Sequence, residues 1–185
     1  MRHKYATNGI ILAHFPVAEA SVDVVVLTDT LGLLRARAQG VRKQGAKLAS
    51  ALQTLAEAHV LLVHGAQGWR VAGATLRRNW FWDLPRSARV RAGRVAGLFL
   101  RLAPGEMNDL SSYDIMHGFF HSLFDTPPAL HDAAECLAAL RLLRMLGLDA
   151  GTLSSRYDTP ALEAVQHERR HYIARINRGI AASGL

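Results

Sequence analysis

Along the first 80 residues, short apolar runs alternate with clusters of turn-forming residues. Residues 9–15, Gly-Ile-Ile-Leu-Ala-His-Phe, form a β-rich run closed by Pro16. Residues 22–28 are a second run, with Val24, Val25 and Val26 at its centre, and Asp29-Thr30-Leu31-Gly32 supplies a turn after it. Residues 34–39 alternate strictly, which sets Arg35, Arg37 and Gln39 on one face and Leu34, Ala36 and Ala38 on the other. Residues 59–64 make a fourth run that ends at Gly65-Ala66-Gln67-Gly68, and residues 69–76 make a fifth. Five short strands with one long connection predict a small antiparallel barrel. The connection, residues 40–47, is basic and punctuated by Gly40 and Gly45, so its backbone can approach a ligand closely.

Near residue 80 the period changes from two to about 3.6. Asp83-Leu84-Pro85 breaks the strand pattern, and Ser87 is positioned to cap a helix running to Ala103, before Pro104. A second helix is predicted over 110–124, stopped by Pro127-Pro128. A third is predicted over 129–146, with Gly147 as its stop. The third is apolar almost all round, which suits a central buried position. Thr159 followed by Pro160 predicts the cap and first-turn proline of a last helix, with Leu162, Val165, Tyr172, Ile173, Ile176 and Ile180 as its apolar stripe. The fold class is therefore α+β, strands then helices. It comprises a five-stranded oligonucleotide-binding (OB-fold) barrel over residues 1–80 and a four-helix domain over residues 81–185.

Composition narrows the function classes. The chain has 185 residues, half of them apolar, which excludes general disorder. No apolar run approaches the ~18 residues of a membrane span. Residues 10–13 are too short for the apolar region of a secretory leader, so a cytoplasmic protein with no membrane association is expected. The single cysteine, Cys136, excludes an internal disulfide and a multi-cysteine zinc site, and its apolar helix predicts simple packing.

Charge changes the picture more. The formal charge of +7 is unevenly spread along the sequence: −1 over residues 1–34, +11 over 35–101 and −3 over 102–185. A basic block of that size beside a mildly acidic remainder points to a polyanion-binding surface. Arg35 and Arg37 project from one strand face, with Arg70 on the fifth strand. Arg42, Lys43 and Lys47 sit in the long connection. Long cationic side chains near flexible backbone suit phosphate contacts. Aromatic platforms are sparse: Tyr5, Phe15 and Trp69 within the strands, then Trp80, Phe81 and Trp82. Core or interface packing is the first account of each. Binding dominated by backbone charge, with strong salt dependence, is expected.

An enzyme reading starts from histidine. His117 and His121 are four apart, as are His167 and His171, a spacing that can ligate zinc on one helical face. Nine histidines produce such pairs by chance. Neither pair is read as a His-Glu-x-x-His site, and no metal or other cofactor is assigned. No phosphate-cradling Gly-x-x-x-x-Gly-Lys-Ser/Thr loop and no Gly-x-Ser-x-Gly elbow is present, and the expectation is a non-enzymatic protein.

Several segments in order resemble the bacterial DNA repair protein RecO family. The opening Thr7-Asn8-Gly9-Ile10-Ile11-Leu12 is similar to that family's start, and Glu19, Ser21 and Asp23 follow at the right distance. Val24–Thr28 and Gly32 then match its second and third strands. Ala38-Gln39-Gly40-Val41-Arg42-Lys43, then Lys47-Leu48 and Leu52-Gln53, are similar to the segment that comes next, and residues 142–148 resemble a leucine-rich helix of its C-terminal domain. The resemblance implies a recombination mediator. Such a protein binds single- and double-stranded DNA, anneals complementary strands, and helps RecA onto strands coated by single-strand-binding protein, together with RecR. It carries DNA contact to Arg42, Lys43 and Lys47, and implies a cytoplasmic, nucleoid-associated protein. With Cys136 alone, the chain is read as a short form lacking the family's zinc-binding cysteines. The family's helical domain receives the acidic, phenylalanine-ended tail of single-strand-binding protein. Arg94, Arg101, Arg141 and Arg144 are the candidate rim of such a pocket. The alternatives are a generic OB-fold RNA-binding or ribosome-associated protein, and a metal-dependent enzyme built on the histidine pairs.

Overall fold

A computed structural model of the chain describes residues 3–17, 19, 21–41 and 48–184. Five strands, β1 (Lys4–Pro16), β2 (Val22–Thr28), β3 (Gly32–Ala38), β4 (Ala56–Gly65) and β5 (Gly68–Asn79), close into a barrel of order β1-β2-β3-β5-β4, with β4 returning to β1. All pairings are antiparallel except the short parallel pairing of β3 with β5, at Ala36 with Trp69 and Arg37 with Arg70. A five-stranded barrel in this order is the oligonucleotide-binding arrangement predicted from the strand pattern.

The alternation in β3 holds in space. Leu34, Ala36 and Ala38 are buried, and Arg35 and Arg37 are exposed. The buried three meet Val22, Val24 and Val26 of β2 in the barrel core, which also takes Ala51 and Leu52 from the β3–β4 connection. The strands run longer than the apolar runs imply. β1 starts at Lys4 and β5 continues to Asn79, because ladder hydrogen bonds extend beyond the buried positions.

The chain divides into two compact units. The barrel unit extends to Asp83 and also takes Gly105–Tyr113. It includes a short helix, α1 (Trp80–Asp83), that the sequence pattern did not predict. Trp80 is fully buried, its indole N–H donating to Glu57 Oε2 at 3.2 Å, and the Arg78 guanidinium lies 4.4 Å from its ring centroid. Within this unit Met107 pairs with Leu33 through two backbone hydrogen bonds, 2.8 and 2.9 Å, so the returning segment covers part of the β3 edge. Gly32 makes this possible: its φ is +72°, and a Cβ there would lie 2.0 Å from the Met107 carbonyl oxygen.

The helical unit holds α2 (Arg86–Leu102), α3 (Ser111–Asp125, from Asp114 on), a 3-10 turn at Pro128–Leu130, α4 (His131–Met145), α5 (Thr159–His167) and α6 (Arg169–Ala182). As predicted, α4 is buried nearly all round; it packs against α2, α5 and α6. Three details differ from the sequence reading. The residue before α2 is Pro85, with no side-chain cap, and Ser87 lies inside the helix. The cap of α5 is Asp158, whose carboxylate accepts from the Ala161 N–H, rather than Thr159. The expected single last helix is two, interrupted at Glu168 (φ −98°, ψ 20°), so the four expected helices become five in this unit.

Candidate nucleic-acid interface

The outer face of the barrel carries one continuous row of paired positions. Phe15 of β1 pairs with Asp23 of β2, Asp23 with Arg37 of β3, and Arg37 with Arg70 of β5. Arg35 stands two residues before Arg37 on the same face. Asp23 binds both β3 arginines. Arg37 donates through Nε to Oδ1 at 2.9 Å and through Nη2 to Oδ2 at 3.4 Å. Arg35 Nη2 lies 3.2 Å from Oδ2. The guanidinium-bearing side chains remain 59% and 50% exposed, while the carboxylate beneath them is only 11% exposed. The hydrogen bond from Arg37, reinforced by the charges of Arg37 and Arg35, holds the Asp23 carboxyl below the ordinary carboxylate range despite partial burial.

This placement explains a like-charge pair. Arg37 and Arg70 are direct cross-strand neighbours, which on its own is unfavourable. Asp23, on the other side of Arg37, offsets that repulsion. Arg70 is exposed, has no ion-pair partner among the described residues, and borders a hollow of about 280 Å³ with Val63 and the Gly65–Gly68 turn. The Arg35 guanidinium sits 5.6 Å from the centroid of the Phe15 ring, which is 47% exposed.

Of the cationic residues singled out from sequence, the structure thus brings together Arg35, Arg37 and Arg70. Arg42, Lys43 and Lys47 lie outside the described residues. The aromatic residues separate by role. Trp69 packs against the barrel core, with edge contacts to Tyr5 and His64. Trp80 is buried, and Phe15, Phe81 and Trp82 are exposed. The opening Thr-x-Gly motif braces the barrel. Thr7 Oγ1 and the Asn8 backbone N–H donate to Asp29 Oδ1 at 2.5 and 3.1 Å, and Asn8 Nδ2 donates to Oδ2 at 2.8 Å. A Cβ at Gly9 would lie 2.6 Å from Val26 Cγ2.

In the helical unit, Arg94 and Arg101 line one groove of about 310 Å³, floored by Val95, Leu98, Cys136 and Ile176. Arg141 and Arg144 do not line it: Arg141 lies 5.0 Å from the Tyr157 ring centroid, and Arg144 is exposed in the last turn of α4. Glu135 holds Arg94 through two 2.6 Å hydrogen bonds and Arg91 at 2.5 Å, and Asp132 pairs with Arg91 and Arg169. Burial pushes the Cys136 thiol up to about 11, so it packs as a neutral, unreactive group.

The units also redistribute the charge. Counted over the full sequence, the barrel unit has ten basic and seven acidic residues, net +3. The helical unit has twelve and eight, net +4. The +11 block of the sequence is divided between them, because Arg86, Arg89, Arg91, Arg94 and Arg101 belong to the helical unit, where Arg91 and Arg94 pair with acidic residues of α4.

The histidine pairs fare differently. The rings of His117 and His121 on α3 lie with centroids 4.4 Å apart and tilted by 55° to one another. Residues 167–171, His-Glu-Arg-Arg-His, do carry the full His-Glu-x-x-His spacing, contrary to the reading from sequence. The fold separates that motif, since His167 ends α5 and His171 belongs to α6.

Residues 1–75 match the family model described as "Recombination protein O N terminal". No curated protein matches the chain.

Proposed function

We propose, from the match of residues 1–75 to the recombination protein O N-terminal family model, that the chain is a DNA-binding, strand-annealing mediator of recombinational repair. The observation that carries this reading is the row of exposed arginines, Arg35, Arg37 and Arg70, across β3 and β5 of a closed five-stranded barrel. The face of strands 2 and 3 is a frequent oligonucleotide seat in such barrels, and Arg35 and Arg37 project from β3. The mechanism is electrostatic. Cationic side chains hold two strands by their phosphates, screen their repulsion and raise the local concentration of complementary bases. No bond is made or broken, and the protein is not an enzyme.

In this reading the protein acts in the cytoplasm, on nucleoid DNA, with RecR and RecA as partners. Among the described residues no helix is long and apolar enough to cross a membrane. The tail of single-strand-binding protein would enter the groove of the helical unit. Arg101 would then meet its terminal carboxylate, because Arg94 is already held by Glu135. An RNA-binding role would use the same face, and the family match favours DNA.

The test is salt-dependent binding of fluorescent single-stranded DNA. An Arg37→Glu, Arg70→Glu variant should bind more weakly, with a salt slope shallower by roughly 1.4, about 0.7 for each phosphate that is no longer neutralised. Unchanged affinity and slope would remove the barrel face from the mechanism. Annealing of complementary strands coated with single-strand-binding protein separates a repair mediator from a general nucleic-acid binder. The wild-type protein should accelerate it, and no acceleration would refute the mediator role.

A further inference from the structure

Resting on the DNA reading of this face, the geometry points to a seat for one unpaired nucleotide on the barrel: its base stacks on Phe15, and its phosphate bonds Arg35 and Arg37, which Asp23 holds in place. Three observations converge. First, Phe15 is a large aromatic side chain left 47% exposed at the end of β1, where His14 and Pro16 are exposed as well, beyond the buried stretch Ile10, Ile11 and Leu12. Exposing an aromatic ring forgoes the gain of burying it, so the part of the ring that Arg35 leaves exposed can take a planar partner.

Second, two cations of β3 stand beside it, together with the Asp23 carboxylate and Glu106, whose Oε1 accepts from the Arg35 backbone N–H at 3.3 Å. The Arg35 guanidinium already lies 5.6 Å from the ring centroid, and Arg37 stands on the same strand, two strands from Phe15 along the row. Third, Asp23 consumes only the inner donors: Nε and Nη2 of Arg37, and Nη2 of Arg35. The remaining N–H groups of both forks belong to side chains at least half exposed. A carboxylate that fixes two guanidinium groups from below cuts the entropy lost when a phosphate binds from above. Asp23 is thus a positioning residue and Phe15 a binding residue.

The consequence is selectivity. A base stacked on Phe15 must leave its own stack, so this seat favours single strands over duplex, whereas the arginines alone do not discriminate. Three variants test it against three probes of equal length: an oligothymidylate of about 16 nucleotides, an abasic strand of the same charge, and a duplex. Phe15→Ala should lose about ten-fold in affinity for the oligothymidylate, the abasic strand and duplex affinities being unchanged. Phe15→Tyr should restore the loss. Asp23→Asn should weaken the oligothymidylate and the abasic strand alike, because it loosens the phosphate fork.

An equal loss on oligothymidylate and abasic strand for Phe15→Ala, or no loss on either, overturns the stacking seat. Tighter binding of all three probes by Asp23→Asn would show the carboxylate competing with phosphate, and overturns its positioning role. Wild-type protein that binds none of the probes overturns the DNA reading of the barrel together with the seat. The Tyr rescue guards against misfolding as the cause of any loss.

Discussion

Asp149 and Arg175 are the most deeply placed ion pair among the described residues, with side chains 9% and 8% exposed and Nη2 to Oδ2 at 2.5 Å. The hydrogen bond from Arg175 holds the Asp149 carboxyl below its ordinary range. Removing the carboxylate strands a buried guanidinium, and Asp149→Ala should lower unfolding free energy at neutral pH by about 3–5 kcal/mol, read by urea denaturation. A loss of a few tenths would show the pair to be dispensable. The sign with pH follows from the direction of the shift. A depressed folded-state value contributes stability that is full above the unfolded value of about 3.9 and is lost as pH falls through the folded one. Asp149→Asn should therefore flatten the acid side of the stability profile. At this scale the sequence was opaque. Arg37 was readable as outward-facing from strict alternation, but nothing in it marked Asp23 as the carboxylate beneath two arginines, because that contact is across strands.

Individual elements were largely legible where one face of a strand or helix is buried. β2 and β3 follow directly from alternation and β-branched content, and α4 from an apolar surface all round. Their ends were less so, since caps depend on single side-chain bonds. Thr159 looked like the start of α5, yet Asp158 makes the bond to Ala161 at 3.1 Å. Asp158→Ala should then cost about 1 kcal/mol of stability, and Thr159→Ala much less, by thermal unfolding. Equal costs would return the cap to Thr159. The break at Glu168 was equally hidden, because no proline or glycine marks it, and it decides whether residues 167–171 form one helical face.

For the whole molecule, the decisive step is how distant segments are shared between units. Residues 105–113 follow α2 in sequence but belong to the barrel unit through Leu33 and Met107. The amides of Leu33 and Met107 should therefore exchange with solvent as one class with the barrel strands, in hydrogen-exchange measurements. Faster exchange, at the rate of loop amides, would mean that the pairing does not persist. The recombination protein O match over residues 1–75 coincides with the barrel rather than with the helices. Several positions that carry the resemblance in sequence, Thr7, Gly9 and Gly32, brace or permit barrel contacts rather than face the proposed ligand. Local sequence determined the periodicity, and with it the barrel, the helices and the outward arginines, because burial acts on side chains two or about 3.6 positions apart. Only the tertiary structure decided which charges meet. It turned a +11 stretch into units of +3 and +4, and it set Phe15, Asp23, Arg37 and Arg70 in one row, because strand register and helix packing join residues far apart in the chain.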